Sequence, residues 1–124
     1  MTTDAQSRLL VKVMVGDDAP ERCSQGFTVA ATAATAGVPV SLWLTGEAAW
    51  FALPGRAEAF ALPMAAPLAD LLSTVLALGS VTVCTQCAQR RGIEPGDVLP
   101  GIRIAGAAAF VEEAVAPATQ ALVY

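Results

Sequence analysis

Leu9-Leu10-Val11-Lys12-Val13-Met14-Val15 is a nearly continuous apolar run, cut off by Gly16-Asp17-Asp18. A strand with one wet face alternates polar and apolar residues. A run without alternation belongs to a strand covered on both faces, as in a parallel sheet. The residues that follow have the form of a helix start: Asp18 as N-cap, Pro20 in the first turn and Glu21 three residues after the cap. The helix is predicted to run to about Ala36, with Gly37 as its C′ residue and with Cys23, Phe27, Ala30, Ala31 and Ala34 on one buried face. Val38 to Leu44 repeats the strand pattern and Thr45-Gly46 ends it, which completes a β-α-β unit.

From Glu47 to Ala66 the periodicity is lost. Trp50, Phe51, Pro54, Gly55, Phe60 and Pro63 suggest a short helix and then irregular chain, with Trp50 and Phe51 at a pocket or a subunit contact. Leu68, Leu71, Leu72, Val75 and Leu76 then form a stripe at helical spacing that Gly79 closes. Ser80 to Val83 reads as the third strand, followed by one or two helical turns up to Gly92. Ile102 to Ala105 reads as the fourth strand and 121–124 as the fifth. Between those two, 106–116 reads as a helix with Ala107, Phe110, Val111, Ala114 and Val115 inward and Glu112-Glu113 outward. Five strands alternating with helices predict a three-layer α/β/α sandwich around a five-stranded parallel sheet, in one domain spanning residues 1–124.

Composition narrows the partners. The chain is 55% hydrophobic and only 15% charged, too little polar material to cover a monomer of this size, which predicts a homo-oligomer. Its net charge of −4 lacks the basic footprint of a nucleic-acid binder. The uncharged stretches 23–46 and 71–89 are broken by Gly37 and Pro39 and by Gly79-Ser80, so neither is expected to span a membrane. No charged segment followed by an apolar run opens the sequence, and its three cysteines are an odd number, which suits a reducing, cytoplasmic setting.

Cys84-Thr85-Gln86-Cys87 is the segment with chemistry in it. In open parallel sheets, sites gather beyond the carboxyl ends of the strands. Cys84 stands at such an end, as do Gly16-Asp17-Asp18 and Thr45-Gly46-Glu47, so three loops can share one rim. A thiol reacts as thiolate, which a helix N-terminus and nearby cations such as Arg90 and Arg91 would favour. Cys23, on the apolar face of the first helix, reads as core. A zinc site needs four ligands, and with no histidine and one further cysteine the chain does not supply them, so no metal and no cofactor is expected. The aromatic-Cys-Gly-Pro-Cys setting of thioredoxin is absent as well.

Val83 to Ile93, with a cysteine, five residues and then Arg-Arg-Gly, resembles the segment that carries the active cysteine of the DsrE-like (DsrE/DsrF/TusD-type) sulfur-relay proteins. The first strand with Gly16-Asp17, the alanine-rich helix and the strand ending at Thr45-Gly46 resemble the N-terminal half of that family. The resemblance implies the sandwich described above, assembled as a homotrimer or homohexamer, and sulfur carried as a cysteine persulfide between donor and acceptor proteins. By position it implies Cys84 as the sulfur acceptor. Cys87, shared by only some relatives, would be a resolving thiol able to discharge the persulfide as sulfide. Arg90 and Arg91 would steady the anionic sulfur, and Gly16, Asp17 and Gly46 would line the rim. A non-catalytic oligomeric module that binds a small ligand, or serves as a scaffold, through the same rim is the alternative.

Overall fold

Residues 7–124 are described by the structure, a computed structural model. The strands are β1 (Arg8–Val13), β2 (Val40–Leu44), β3 (Ser80–Cys84), β4 (Ile102–Ala105) and β5 (Thr119–Val123), and the helices are α1 (Pro20–Thr35), α2 (Arg56–Ala59), α3 (Leu68–Leu78), α4 (Thr85–Arg90) and α5 (Ala107–Ala114). All strand pairs are parallel, in the order β4-β3-β2-β1-β5. This is the predicted α/β architecture.

Both faces of the sheet carry helices, but unequally. On one face Val11, Val13, Leu42, Leu44, Val81 and Val83 meet Phe27, Ala30 and Ala34 of α1 and Leu72 and Val75 of α3 in the main core. Phe51, from a 3-10 segment at Gly46–Ala52, closes that core edge-on against Phe27 (5.9 Å) and Phe60 (5.6 Å). Phe51 is therefore core rather than pocket lining, and Trp50 is partly buried with the Arg56 guanidinium 4.4 Å over its ring.

The second face is read from the register. Lys12, Trp43, Thr82 and Arg103 are successive partners across β1, β2, β3 and β4 and so project to one side. Trp43 is fully buried there, edge-on to Phe110 of α5 at 5.3 Å. Here the sequence expectation for α5 fails. Glu113 turns inward and accepts hydrogen bonds from Ser41, Trp43 and Arg103, whereas Val111 and Val115 are exposed. Ser41 and Arg103 make this face polar at the start of the strands, and pairing them outweighs turning two valines inward.

Several boundaries also shift: β5 runs over Thr119–Val123 rather than 121–124, and three other shifts have local reasons. β1 stops at Val13 rather than Val15, because the Met14 carbonyl accepts the Glu47 N–H (3.2 Å) instead of continuing the ladder. β2 starts at Val40 rather than Val38, since Gly37 takes φ +89° and the Val38 N–H closes on the Ala33 carbonyl (3.0 Å). Asp18 is not the N-cap of α1. That position is Ala19, and the Asp18 carboxylate accepts the Gly16 N–H (2.8 Å), tightening the turn before the helix.

Burial works against the charge of Glu113, but hydrogen bonds from Ser41, Arg103 and Trp43, with the Arg103 charge, hold its carboxyl below the usual range. Glu113→Gln is expected to destabilise the fold by about 1–2 kcal/mol at neutral pH. A group whose folded pKa is depressed contributes fully above its unfolded value of about 4.3 and loses that contribution as pH falls through the folded value. Denaturation midpoints of parent and variant should therefore differ at neutral pH and converge in acid.

Candidate functional site

The carboxyl ends of β1, β2 and β3 meet, as their parallel order requires. Gly16 is buried against the next loop, where a Cβ would stand 3.0 Å from the Glu47 carbonyl oxygen and 3.2 Å from the Phe51 ring. Gly46 is pressed against β1 at φ +52°, and its N–H donates to the Cys87 sulfur at 3.2 Å. Glu47 accepts two hydrogen bonds from the Arg91 guanidinium (2.7 and 3.1 Å), and Arg91 also donates to the Cys87 carbonyl (3.1 Å). One arginine thus ties the end of α4 to the loop after β2.

Cys84 is the last residue of β3 and the N-cap of the six-residue α4, with extended backbone. Thr85 is the first helical residue. Cys84 is half-buried, and two opposing effects act on its thiol. Burial disfavours the thiolate; the backbone N–H and side chain of Cys87, the backbone N–H of Gln86 and the charge of Lys12 favour it. The second group wins, and the thiol is held below its usual range.

The three cysteines therefore differ by environment. Cys23 is completely buried, and burial, with the charges of Asp17 and Asp18, pushes its thiol up to about 12. Cys87 is buried beside Cys84 and accepts from Gly46. All three are free thiols.

Six of the seven residues singled out from the sequence are close to this arrangement: Cys84, Cys87, Arg90, Arg91, Gly16 and Gly46. Arg90 is exposed, with Nη1 4.0 Å from the Cys87 sulfur, and Arg91 is engaged by Glu47. Asp17 is exposed, and its charge bears on Cys23. Lys12 and the partner role of Glu47 were missed. Lys12 had a visible signal, being the one charge inside the apolar run 9–15, but its relation to Cys84 spans two strands.

The cysteines stand apart from the cavity at the other end of the sheet. A cavity of about 460 Å³ lies at the opposite ends of the strands, between Arg8, Ser41, Ser80, Arg103, Glu113 and Thr119 among others, and contains none of them. Among the described residues no cluster of three or more Cys, Asp or Glu is placed to hold a metal ion, and no helix is long and apolar enough to cross a membrane. The site is a rim at the strand ends with one half-buried cysteine, suited to a thiolate reacting with a group that approaches from outside.

Comparison with known proteins bears on the whole chain. No curated protein matches it. Among solved structures it is similar to the crystal structure of the ychN protein from E. coli, with a TM-score of 0.79 and 15% identity over 95% of this chain and 99% of that one. At that identity the likeness concerns the fold. The family pattern of DsrE/DsrF-like proteins matches residues 8–115, from β1 to the end of α5 and through Cys84, Cys87 and Arg91, so the chain belongs to the DsrE/DsrF-like family.

Proposed function

We propose that this protein carries sulfane sulfur as a persulfide on Cys84. The observation that carries the reading is the environment of that thiol: at the end of β3, half-accessible, and held toward thiolate by the first turn of α4. The Cys84 thiolate attacks the outer sulfur of a donor persulfide, forming a new S–S bond. The donor's own sulfur leaves as thiolate, and Cys84 then carries the extra sulfur. Transfer to an acceptor thiolate repeats the exchange.

Cys87 gives a second outcome. Its thiolate can attack the inner sulfur of the Cys84 persulfide, forming a Cys84–Cys87 disulfide and releasing the outer sulfur as sulfide, so the two thiols are oxidised and the sulfane sulfur is reduced. Both outcomes need a donor and an acceptor able to reach Cys84, and its partial exposure at the end of β3 suits an approach from outside. A cytoplasmic assembly of identical copies, three or six, is part of this reading. Its support is the exposed apolar surface of Val111, Val115 and Val123 on α5 and β5.

Incubating the reduced protein with a small-molecule persulfide and weighing it intact is the test. The expected result is a gain of one sulfur atom that a reductant removes and that Cys84→Ser abolishes. In Cys87→Ser the gain should persist longer, because the discharge route is gone. No gain on any cysteine would overturn the carrier reading and favour a binding module using the same rim.

A further inference from the structure

Lys12 occupies a position where the fold alone calls for an apolar residue. It is on β1, which has strands on both sides, and its row neighbours are Val123, Trp43 and Thr82. Its ammonium rests over the Phe110 ring, 5.0 Å from the centroid. The ion pairs among the described residues are Arg91–Glu47 and Arg103–Glu113, and neither includes Lys12. An aromatic face holds a cation in place without cancelling its charge, which a carboxylate would do.

The register sets the direction of that charge. Cys84 is two residues beyond Thr82 on β3 and so projects from the same face as Lys12, one pleat further toward the carboxyl end. Two strand spacings and one such step put the two Cα atoms about 12 Å apart, a gap that the lysine stem shortens. The arginines suggested by the sequence are directed elsewhere, since Arg91 is held by Glu47 and the Cys87 carbonyl, and Arg90 lies beside Cys87.

We propose that Lys12 is the positioning cation of this site: its ammonium, seated on the Phe110 ring, faces the anionic sulfur of Cys84 as thiolate and then as persulfide. The Lys12 charge does favour the Cys84 thiolate. The other charged or titratable groups around the carboxyl ends of the strands are Asp17 and Asp18 in the turn after β1, Tyr124 beside Lys12 and Met14, Cys87 and Arg90 on α4, and the internally neutral Arg91–Glu47 pair; the Arg103–Glu113 pair lies toward the opposite ends. The persulfide half of the inference rests on the carrier reading; the thiolate half does not.

The rate of Cys84 alkylation by iodoacetamide, a neutral reagent, is measured against pH on the full chain with site-resolved mass spectrometry. Lys12→Met and Lys12→Gln should slow the reaction at neutral pH by about three- to tenfold and move its midpoint to higher pH, leaving the alkaline plateau rate unchanged. Lys12→Arg should restore the parent curve. Arg56→Met removes one positive charge beside Trp50 and should leave the curve in place. The proposal is overturned if Lys12→Met, with an unchanged melting transition, follows the parent curve, if its plateau rate falls as well, or if Arg56→Met shifts the midpoint equally. No sulfur donor is present, so failure here is separate from failure of the mass-gain experiment.

Discussion

Alkylation of the reduced protein at neutral pH is expected to label Cys84 more than about a thousandfold faster than Cys23. Only the thiolate is nucleophilic, so the rate follows the ionised fraction and the access of the reagent. Cys23 fails on both counts. With its thiol pushed up to about 12, by burial first and by Asp17 and Asp18 second, it is almost wholly protonated, and it has no exposed surface. A thiol at the ordinary value of about 8.5 is already more than a thousandfold more ionised at neutral pH, and Cys84 is held below its own usual range. Site-resolved mass spectrometry over a time course reads the ratio. Equal labelling of Cys23 and Cys84 in folded protein would sink the assignment of Cys84 as the reactive sulfur. Raising the pH should narrow the gap, because Cys84 saturates as thiolate while Cys23 continues to ionise.

Gly46→Ala is expected to destabilise the protein by about 2–5 kcal/mol. Two costs combine. The backbone at φ +52° is a left-handed conformation that a Cβ disfavours by about 1–2 kcal/mol. The added Cβ also runs into the Met14 carbonyl oxygen, which is fixed by its hydrogen bond from Glu47, so the neighbour cannot simply move aside. Gly55→Ala separates the two costs: it has φ +82° but nothing within 4 Å of the new Cβ, and should show the conformational cost alone. Denaturant midpoints of both variants measure the difference. Equal losses would show that the clash at Gly46 relaxes freely.

These two experiments probe features of different legibility. Cys84, its place after the third strand and the nearby Cys87 follow from short-range pattern: an apolar strand, a turn and a cysteine spacing. The core role of Cys23 follows from its place on the α1 stripe with Phe27, Ala30 and Ala34. The burial of Gly46 against Met14 does not follow from any local pattern, since Thr45-Gly46 reads only as the end of a strand. The reversal in α5 has the same origin. Val111 and Val115 satisfy an apolar period, and only the polar row of Ser41 and Arg103 opposite makes Glu113 the inward residue.

Periodicity in the chain was enough to determine the main elements, their parallel arrangement and the strand end at which Cys84 stands, because strand and helix formation respond to burial along a few consecutive residues. Which charges face that thiol was decided only by the tertiary structure. Arg90 and Arg91 are near Cys84 in sequence, yet one is held by Glu47 and the other lies beside Cys87. Lys12 is far away in sequence and is brought to the same face by strand register. Electrostatic influence depends on distance through space, and in a parallel sheet neighbouring strands come from remote parts of the chain.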